Sequence, residues 1–264
     1  MRSLPSWHVF ERVAGAYDEV LPFFAAIGER LVAAVGPGPG TRHLDIGAGR
    51  GALVGPSLDR GCAVTAVDAA PAMVARLAAD FPQARTLVMD AEHLVFPDAS
   101  FDLATAAFVV HLLDRPARGV EEAFRVLAPG GRFAVPVGAA VRAPEPAAIQ
   151  DDMDALFAEF APHLPPGGGM GAAIDMRRAM SAAGFVDLEE RHIEVVVPVP
   201  DGDALWDWCR SHGYLAFIED LPDDRREEFR LRMRALARAG GVLQRAHAVL
   251  IGRRPRPTRR EEST

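Results

Sequence analysis

The sequence predicts an α/β fold built on a doubly wound sheet, and two observations carry that prediction. A short apolar run, His43-Leu44-Asp45-Ile46, enters the glycine-rich turn Gly47-Ala48-Gly49-Arg50-Gly51. That is the pattern of a buried strand turning tightly into a helix. Strand-like and helix-like segments then alternate five times before residue 140, the signature of a parallel sheet with helices on both faces. The glycine turn also lets a ligand come close to bare backbone, and the helix after it presents free N–H groups.

The elements follow in order. Phe10, Val13, Ala14, Tyr17, Val20 and Leu21 recur at helical spacing and predict a helix over residues 7–35. Gly36-Pro37-Gly38-Pro39-Gly40 breaks it ahead of a strand at 42–47. A helix at 51–60 leads through Gly61 to a second strand at 63–67 that ends on Asp68. Pro71 starts the next helix, with Met73, Val74 and Leu77 as its apolar positions. The third strand, 86–89, ends on Asp90, and the fourth covers 101–106. A helix at 116–127 closes at Pro129-Gly130-Gly131, and the fifth strand, 132–137, follows at once. Beyond residue 140 come an amphipathic helix at 146–161, a Pro/Gly loop at 165–169 and a helix at 172–183. A β-branched strand at 193–199, helices at 203–219 and 222–239, and a last strand at 246–251 complete the chain. The Arg/Pro tail from Arg253 onward is expected to be disordered.

Composition excludes several function classes. The chain has 264 residues, 49% of them hydrophobic and 25% charged, enough to bury a full core. A net charge of −7 argues against a general nucleic-acid binder, although all 29 basic residues are arginine. Cys62 and Cys209 lie too far apart in sequence to suggest a disulfide framework or a cysteine zinc site. No signal-peptide core is present, and no stretch approaches the ~20 apolar residues of a membrane helix. The expected setting is cytoplasmic, with no membrane, nucleic-acid or metal partner.

Gly47-x-Gly49-x-x-Ala52 also satisfies a loose dinucleotide fingerprint, and Asp68, after the second strand, suits a ribose diol in either kind of cofactor. Asp45 discriminates. A carboxylate two residues before the first glycine would repel a pyrophosphate, but it helps to hold the cationic sulfonium and ammonium of S-adenosylmethionine. Asp90-Ala91, after the third strand, stands where an adenine edge would be met.

With the helix-to-strand turn Leu127-Ala128-Pro129-Gly130-Gly131-Arg132-Phe133, these blocks resemble class I S-adenosylmethionine-dependent methyltransferases. The likeness is to the small-molecule branch similar to ubiquinone/menaquinone-pathway enzymes. It covers roughly residues 8–138, with Phe10–Asp18 similar to that branch's N-terminal cap. The resemblance implies a Rossmann-like, seven-stranded, mostly parallel sheet whose last strand is antiparallel. An N-terminal helical cap (1–40), a cofactor-binding core (41–140), acceptor-binding insertions with the closing strands (141–252) and a tail (253–264) would divide the chain. It also implies S-adenosylmethionine as cofactor and S-adenosylhomocysteine as product. Asp45, Gly47, Ala48 and Gly49 would cradle the methionine end, with Asp68 and Ala69 at the ribose. Met73 would pack beside adenine, and Asp90 and Ala91 would meet its edge. Ala107 and Phe108 would line the methionine end, and Tyr17 would fold over the cofactor.

The expected reaction is methyl transfer to oxygen or carbon of a small molecule, a secondary metabolite or quinone-like ring. His111, after the fourth strand, is the candidate base because a near-neutral imidazole suits proton removal at physiological pH. The same residue reads equally well as a lining or capping histidine. An Asn/Asp-Pro-Pro-Tyr motif is absent, since residues 105–108 read Thr-Ala-Ala-Phe, which disfavours methylation of base or amide nitrogens. Trp206, Trp208, Tyr214, Phe217 and Met170 are candidate walls of an acceptor pocket, with His8, His192 and His212 as weaker candidates and Gly167–Gly171 as a lid. A homodimer is among the expected assemblies. Two other readings stay open: a methyltransferase-fold protein doing non-methylating chemistry such as cyclisation, and an NAD-dependent oxidoreductase.

Overall fold

The computed structural model describes residues 7–137, 148–169 and 174–257. Strands β1 (Arg42–Ile46), β2 (Ala63–Asp68), β3 (Arg85–Val88), β4 (Phe101–Thr105), β5 (Leu127–Val137), β6 (Val186–Val199) and β7 (Gly241–Arg253) form one sheet in the order β3-β2-β1-β4-β5-β7-β6. The pairings from β3 to β5 are parallel, and β7 runs antiparallel to both of its neighbours. This is the mostly parallel seven-stranded sheet with an antiparallel last strand that the resemblance implies.

Strand alternation sends successive side chains to opposite faces, and each face has its own core. Leu103, Ala134, Val249 and Ile251 join Ile27 and Leu31 of α2 (Phe23–Val35) and Leu205, Phe229 and Met233 of the C-terminal helices. Their neighbours Ala104, Phe133, Val135 and Leu250 pack on the other face with Val120 and Ala123 of α5 (Pro116–Val126) and Met180 of α7 (Met176–Ala183). Helices α3 (Val54–Asp59) and α4 (Pro71–Asp80) carry the crossovers from β1 to β2 and from β2 to β3.

Several boundaries differ from the sequence expectation. The helix expected over 7–35 is two, α1 (Trp7–Val13) and α2, because Asp18 enters the left-handed region at φ 60° and accepts the Phe24 and Ala25 N–H groups at 2.9 and 2.7 Å. Those are orphan donors of the first turn of α2, and the carboxylate caps them from a distance in sequence. The helix expected over 203–219 is likewise split, into α8 (Gly202–Arg210) and α9 (Tyr214–Asp220). There the Ser211 hydroxyl and His212 Nδ1 both donate to the Trp208 carbonyl, taking the acceptor that the next turn would use. The helix after Asp223 is α10 (Asp223–Leu236), and the amphipathic helix is α6 (Ala148–Phe160).

β6 starts seven residues before the expected 193, at Val186. Its first half is a charged, exposed sheet edge without apolar alternation, so nothing in the sequence marks it. β7 likewise extends to Arg253, and Arg254 donates to the carbonyls of Phe124, Arg125 and Leu127 at 3.1, 2.7 and 2.6 Å. The expected tail therefore begins later than Arg253. Met170 and the expected domain boundary at 140 lie outside the described residues.

α2 presses onto the glycine turn through Gly28. A Cβ there would stand 1.9 Å from the Ala52 carbonyl oxygen, which is backbone and cannot step aside. Gly28→Ala is expected to destabilise the fold by about 2 kcal/mol, in the range of an overpacked core. Chemical denaturation checks this, and a midpoint equal to wild type would show that α2 can slide.

Candidate active site

The sheet order reverses between β1 and β4, so the loops leaving their carboxyl ends diverge and open a crevice. A cavity of about 1300 Å³ occupies it. Its walls come from α1, the loops after β1 to β4, the start of α2, the end of β5, the α8–α9 junction and the middle of β7.

Backbone geometry shapes one end of this cavity. Gly47 sits at φ 65°, and a Cβ on it would lie 2.1 Å from Val109 Cγ2, so only glycine fits. Asp68 accepts the Gly49 N–H through Oδ2 and the Ala70 N–H through Oδ1, each at 2.9 Å. One carboxylate thus ties the glycine turn to the end of β2. Gly47, Gly49, Asp68, Ala69, Met73, Asp90 and Ala91 all line this end, as the sequence suggests. Asp90 is also engaged with its own loop, accepting the Glu92 N–H at 2.8 Å and pairing with His93 Nδ1 at 2.9 Å.

Asp45 and Ala48 are near this end but do not line the cavity. Asp45 is buried beneath the turn, where Thr105 donates to its Oδ1 at 2.7 Å. Thr105 in turn takes a hydrogen bond from His43 Nε2 at 2.8 Å. Because the threonine proton goes to Asp45, that imidazole nitrogen carries the hydrogen. Asp45 Oδ2 has no partner. Burial, with Asp68 adding repulsion and Thr105 opposing, pushes its carboxyl up to about 7. An orphaned acidic oxygen under a glycine cradle fits a cationic ligand head and suits no phosphate.

The rest of the cavity is aromatic. Tyr17 stacks on Phe24 with centroids 4.9 Å apart, Phe24 meets the edges of Phe108 and His212 at 6.0 and 5.3 Å, and Phe108 meets His247 at 5.2 Å. Phe108 itself adopts φ 59°, a strained backbone at the point where β4 hands over to the site. Ala107 and His111 complete the wall after β4, and burial lowers the His111 pKa.

Among the acceptor candidates, Tyr214, Trp208 and His212 do reach the cavity. Trp206 does not. It is buried and faces Phe229, with centroids 6.4 Å apart. Phe217 also belongs to the core rather than the wall. His192 is exposed on the β6 edge beside Glu190, and His8 stacks on Trp7 at 3.9 Å while Trp7 alone lines the cavity. The lid expected at Gly167–Gly171 is described only to Gly169, whose N–H donates to Asp220 at 2.9 Å. Sequence reasoning missed Arg245 and His247 of β7. Their only trace is two polar residues in an alternating strand, and nothing in the sequence says which face they occupy.

The methyltransferase-domain family model matches residues 44–135, the stretch that builds the cofactor end. Nocamycin O-methyltransferase of Saccharothrix syringae is 34% identical over 245 residues, covering 83% of this chain and 85% of that protein. The chain belongs to the class I S-adenosylmethionine-dependent methyltransferases. It is an enzyme of that class, and its cofactor is S-adenosylmethionine rather than a dinucleotide. Aklanonic acid methyltransferase of Streptomyces sp. strain C5 is 37% identical over 135 residues, 47% of this methyltransferase and 61% of that one. An S-adenosylmethionine-dependent methyltransferase of Thermotoga maritima shares the fold at a TM-score of 0.55 and 19% identity, covering 94% of this chain and 99% of its own. Small-molecule enzymes stand among the relatives, and no single pathway is fixed by them. Among the described residues, no helix is long and apolar enough to cross a membrane, and no cluster is placed to hold a metal ion.

Two measurements follow from this geometry. Asp45 keeps its proton up to about 7 in the folded protein against an ordinary 3.8, so folding takes up a proton between those values. Its contribution to stability is therefore full below about 4 and is lost as pH rises through 7. A sulfonium held close to Asp45 would draw the carboxyl back to its anionic form. S-adenosylmethionine affinity is thus expected to climb as pH rises toward 7 and level off above it, with Asp45→Asn flattening the slope in calorimetric titrations. Asp68→Asn is expected to weaken S-adenosylhomocysteine by about 10-fold or more, the loss of a charged hydrogen-bonding site. Unchanged affinity would remove Asp68 from the cofactor site.

Proposed function

We propose that this methyltransferase moves the methyl group of S-adenosylmethionine to an oxygen, or alternatively a carbon, of a small-molecule acceptor, a secondary metabolite or quinone-like ring. The observation that carries the reading is the continuity of one cavity. The glycine turn, Asp68 and Asp90 line the same cavity as the aromatic residues Phe24, Phe108 and Trp208. The likeness to nocamycin O-methyltransferase supports oxygen, because it extends across the helices that build the acceptor wall.

In this reading Asp68 holds the ribose hydroxyls, Asp90 and Ala91 take the adenine edge, and Met73 packs against the ring. Gly47 and Gly49 admit the methionine moiety, Asp45 balances its positive charge, and Tyr17 and Phe108 close over it. When bound, the sulfonium supplies an activated methyl group for in-line displacement. The protein's task is then alignment and exclusion of water, which can supply much of the rate enhancement. Phe24, Phe108 and Trp208 form an apolar slot suited to a flat acceptor body. His111, neutral at physiological pH because burial lowers its pKa, accepts the proton of an acceptor hydroxyl.

Incubation with S-adenosylmethionine and a panel of phenolic, enolic and carboxylic acceptors, with S-adenosylhomocysteine measured by mass spectrometry, tests the reading. Acceptor-dependent product supports it. Cofactor binding without turnover of any acceptor would instead favour cyclisation or another non-methylating use of the pocket. His111→Ala is expected to lower kcat by about 100-fold, a usual general-base contribution, while cofactor affinity stays within about twofold. A loss of affinity with kcat preserved would make His111 a lining residue.

A further inference from the structure

We propose that the acceptor carries an acid group, ionised at neutral pH, which Arg245 and His247 of β7 hold in the cavity. The proposal rests on the methyl-transfer reading and adds the chemical class of the acceptor.

The charges of the cavity are segregated. Its carboxylates, Asp68, Asp90, Glu92 and Asp114, belong to the end of β2 and the loops after β3 and β4. Arg115 is spent on Glu92, which accepts its backbone N–H and its Nε, each at 2.8 Å. The remaining lining cation among the described residues is Arg245, in the middle of β7. On its face of that strand the alternating positions read Leu243, Arg245, His247, Val249 and Ile251, of which the three apolar residues are core. Two polar side chains therefore interrupt an apolar face where the cavity opens.

The hydrogen bonds of Arg245 leave it capacity. Asp154 at 3.0 Å and the Tyr214 hydroxyl at 3.1 Å both take Nη2, while Nε and Nη1 have no partner among the described residues. Asp154, on α6, is 53% exposed and does not line the cavity, whereas the Arg245 side chain is 14% exposed. The counter-charge is thus the more exposed member of the pair, and Arg245 is the one that lines the cavity. Asp154 and Tyr214 engage one edge of the guanidinium, so Nε and Nη1 remain as donors for a second oxyanion. His247 is 6% exposed with neither ring nitrogen hydrogen-bonded, and Trp208 Nε1 is equally unpartnered in the same wall. His212 adds no competing charge, since its Nδ1 donates to the Trp208 carbonyl at 2.7 Å and burial keeps the ring neutral.

A carboxylate and an acidic enol both offer the required oxyanion. The rings of Phe24, Phe108 and His247 run in contact and give an apolar wall for the acceptor body beside this subsite. Binding energy from the acid group would orient the reacting atom toward the methyl donor.

The test uses S-adenosylhomocysteine-loaded protein and two matched pairs of probes, followed by calorimetry at fixed ionic strength. Naphthoate is compared with naphthamide, and tetronic acid with its methyl ether. At least one acid is expected to bind about 10-fold more tightly than its neutral partner, the loss of roughly one charge-assisted contact. Which acid does so identifies a carboxylate or an enol. Arg245→Gln should erase the preference, and Asp154→Asn, which removes the counter-charge, should increase it. A purely structural ion pair would lose stability in both variants and leave the acid-to-neutral ratio unmoved, so thermal unfolding is recorded alongside. Wild-type protein that binds neither acid better than its neutral partner, or a preference that survives Arg245→Gln, overturns the proposal. Should Arg245→Gln fail to fold, the wild-type ratio and the Asp154→Asn shift still decide it. Failure of S-adenosylhomocysteine to bind would overturn the methyl-transfer reading instead, and the probe comparison on ligand-free protein would still decide the acid subsite.

Discussion

The Asp68 carboxylate holds the site together. Its two oxygens take the Gly49 and Ala70 N–H groups, so the turn after β1 and the helix start after β2 are fixed by one side chain. Its own backbone carbonyl accepts the Met89 N–H at 2.9 Å, which adds the end of β3 to the same unit. Three of the four loops that build the cofactor end are therefore coupled through one residue. Burial raises the pKa of this carboxyl above its ordinary value, with the Ala70, Gly49 and Ala69 N–H groups opposing the shift.

Around that anchor the structure tolerates polar groups that a core chosen for stability would omit. Asp45 Oδ2, His43 Nδ1, Trp208 Nε1 and both nitrogens of His247 are buried without partners. Each such group costs about 1–3 kcal/mol when left unsatisfied. Asp45 and His43 lie beneath the glycine turn, whereas Trp208 and His247 stand in the cavity wall. The strained backbone of Phe108 stands at the same place. Stability given up there is compensated by the two apolar cores on the faces of the sheet.

The two parts of the cavity wall come from regions with different sequence signals. Residues 44–135 match a family model, and the same stretch carries the glycine turn and the aspartates that end β2 and precede the Ala91 loop. The other wall of the cavity is assembled from α8, the α8–α9 junction and β7, with Phe24 reaching in from the start of α2. No short motif marks that wall, because its residues are brought together by helix packing and by a strand that returns to the sheet from the far end of the chain.

What the sequence determined by itself is the sheet, the glycine turn and the residues following each parallel strand. These features are local: a few consecutive residues choose strand, turn or helix start, and the period of the apolar pattern reports the choice. Asp68, Met73, Asp90, Phe108 and His111 were legible for that reason, and all of them line the cavity. Asp45 was legible as an acid before a glycine turn, but its burial under Thr105 depends on the pairing of β1 with β4. Trp206 and Trp208 show the limit most plainly. Two residues apart on one helix, they look like equal candidates, yet Trp206 turns to Phe229 and Trp208 to His212 and the cavity. Arg245 and His247 acquired their place only when β7 paired with β5 and β6, which turned one of its faces inward. Contacts between residues far apart in sequence leave no periodicity to read, so only the tertiary structure decided which of these side chains reach the cavity.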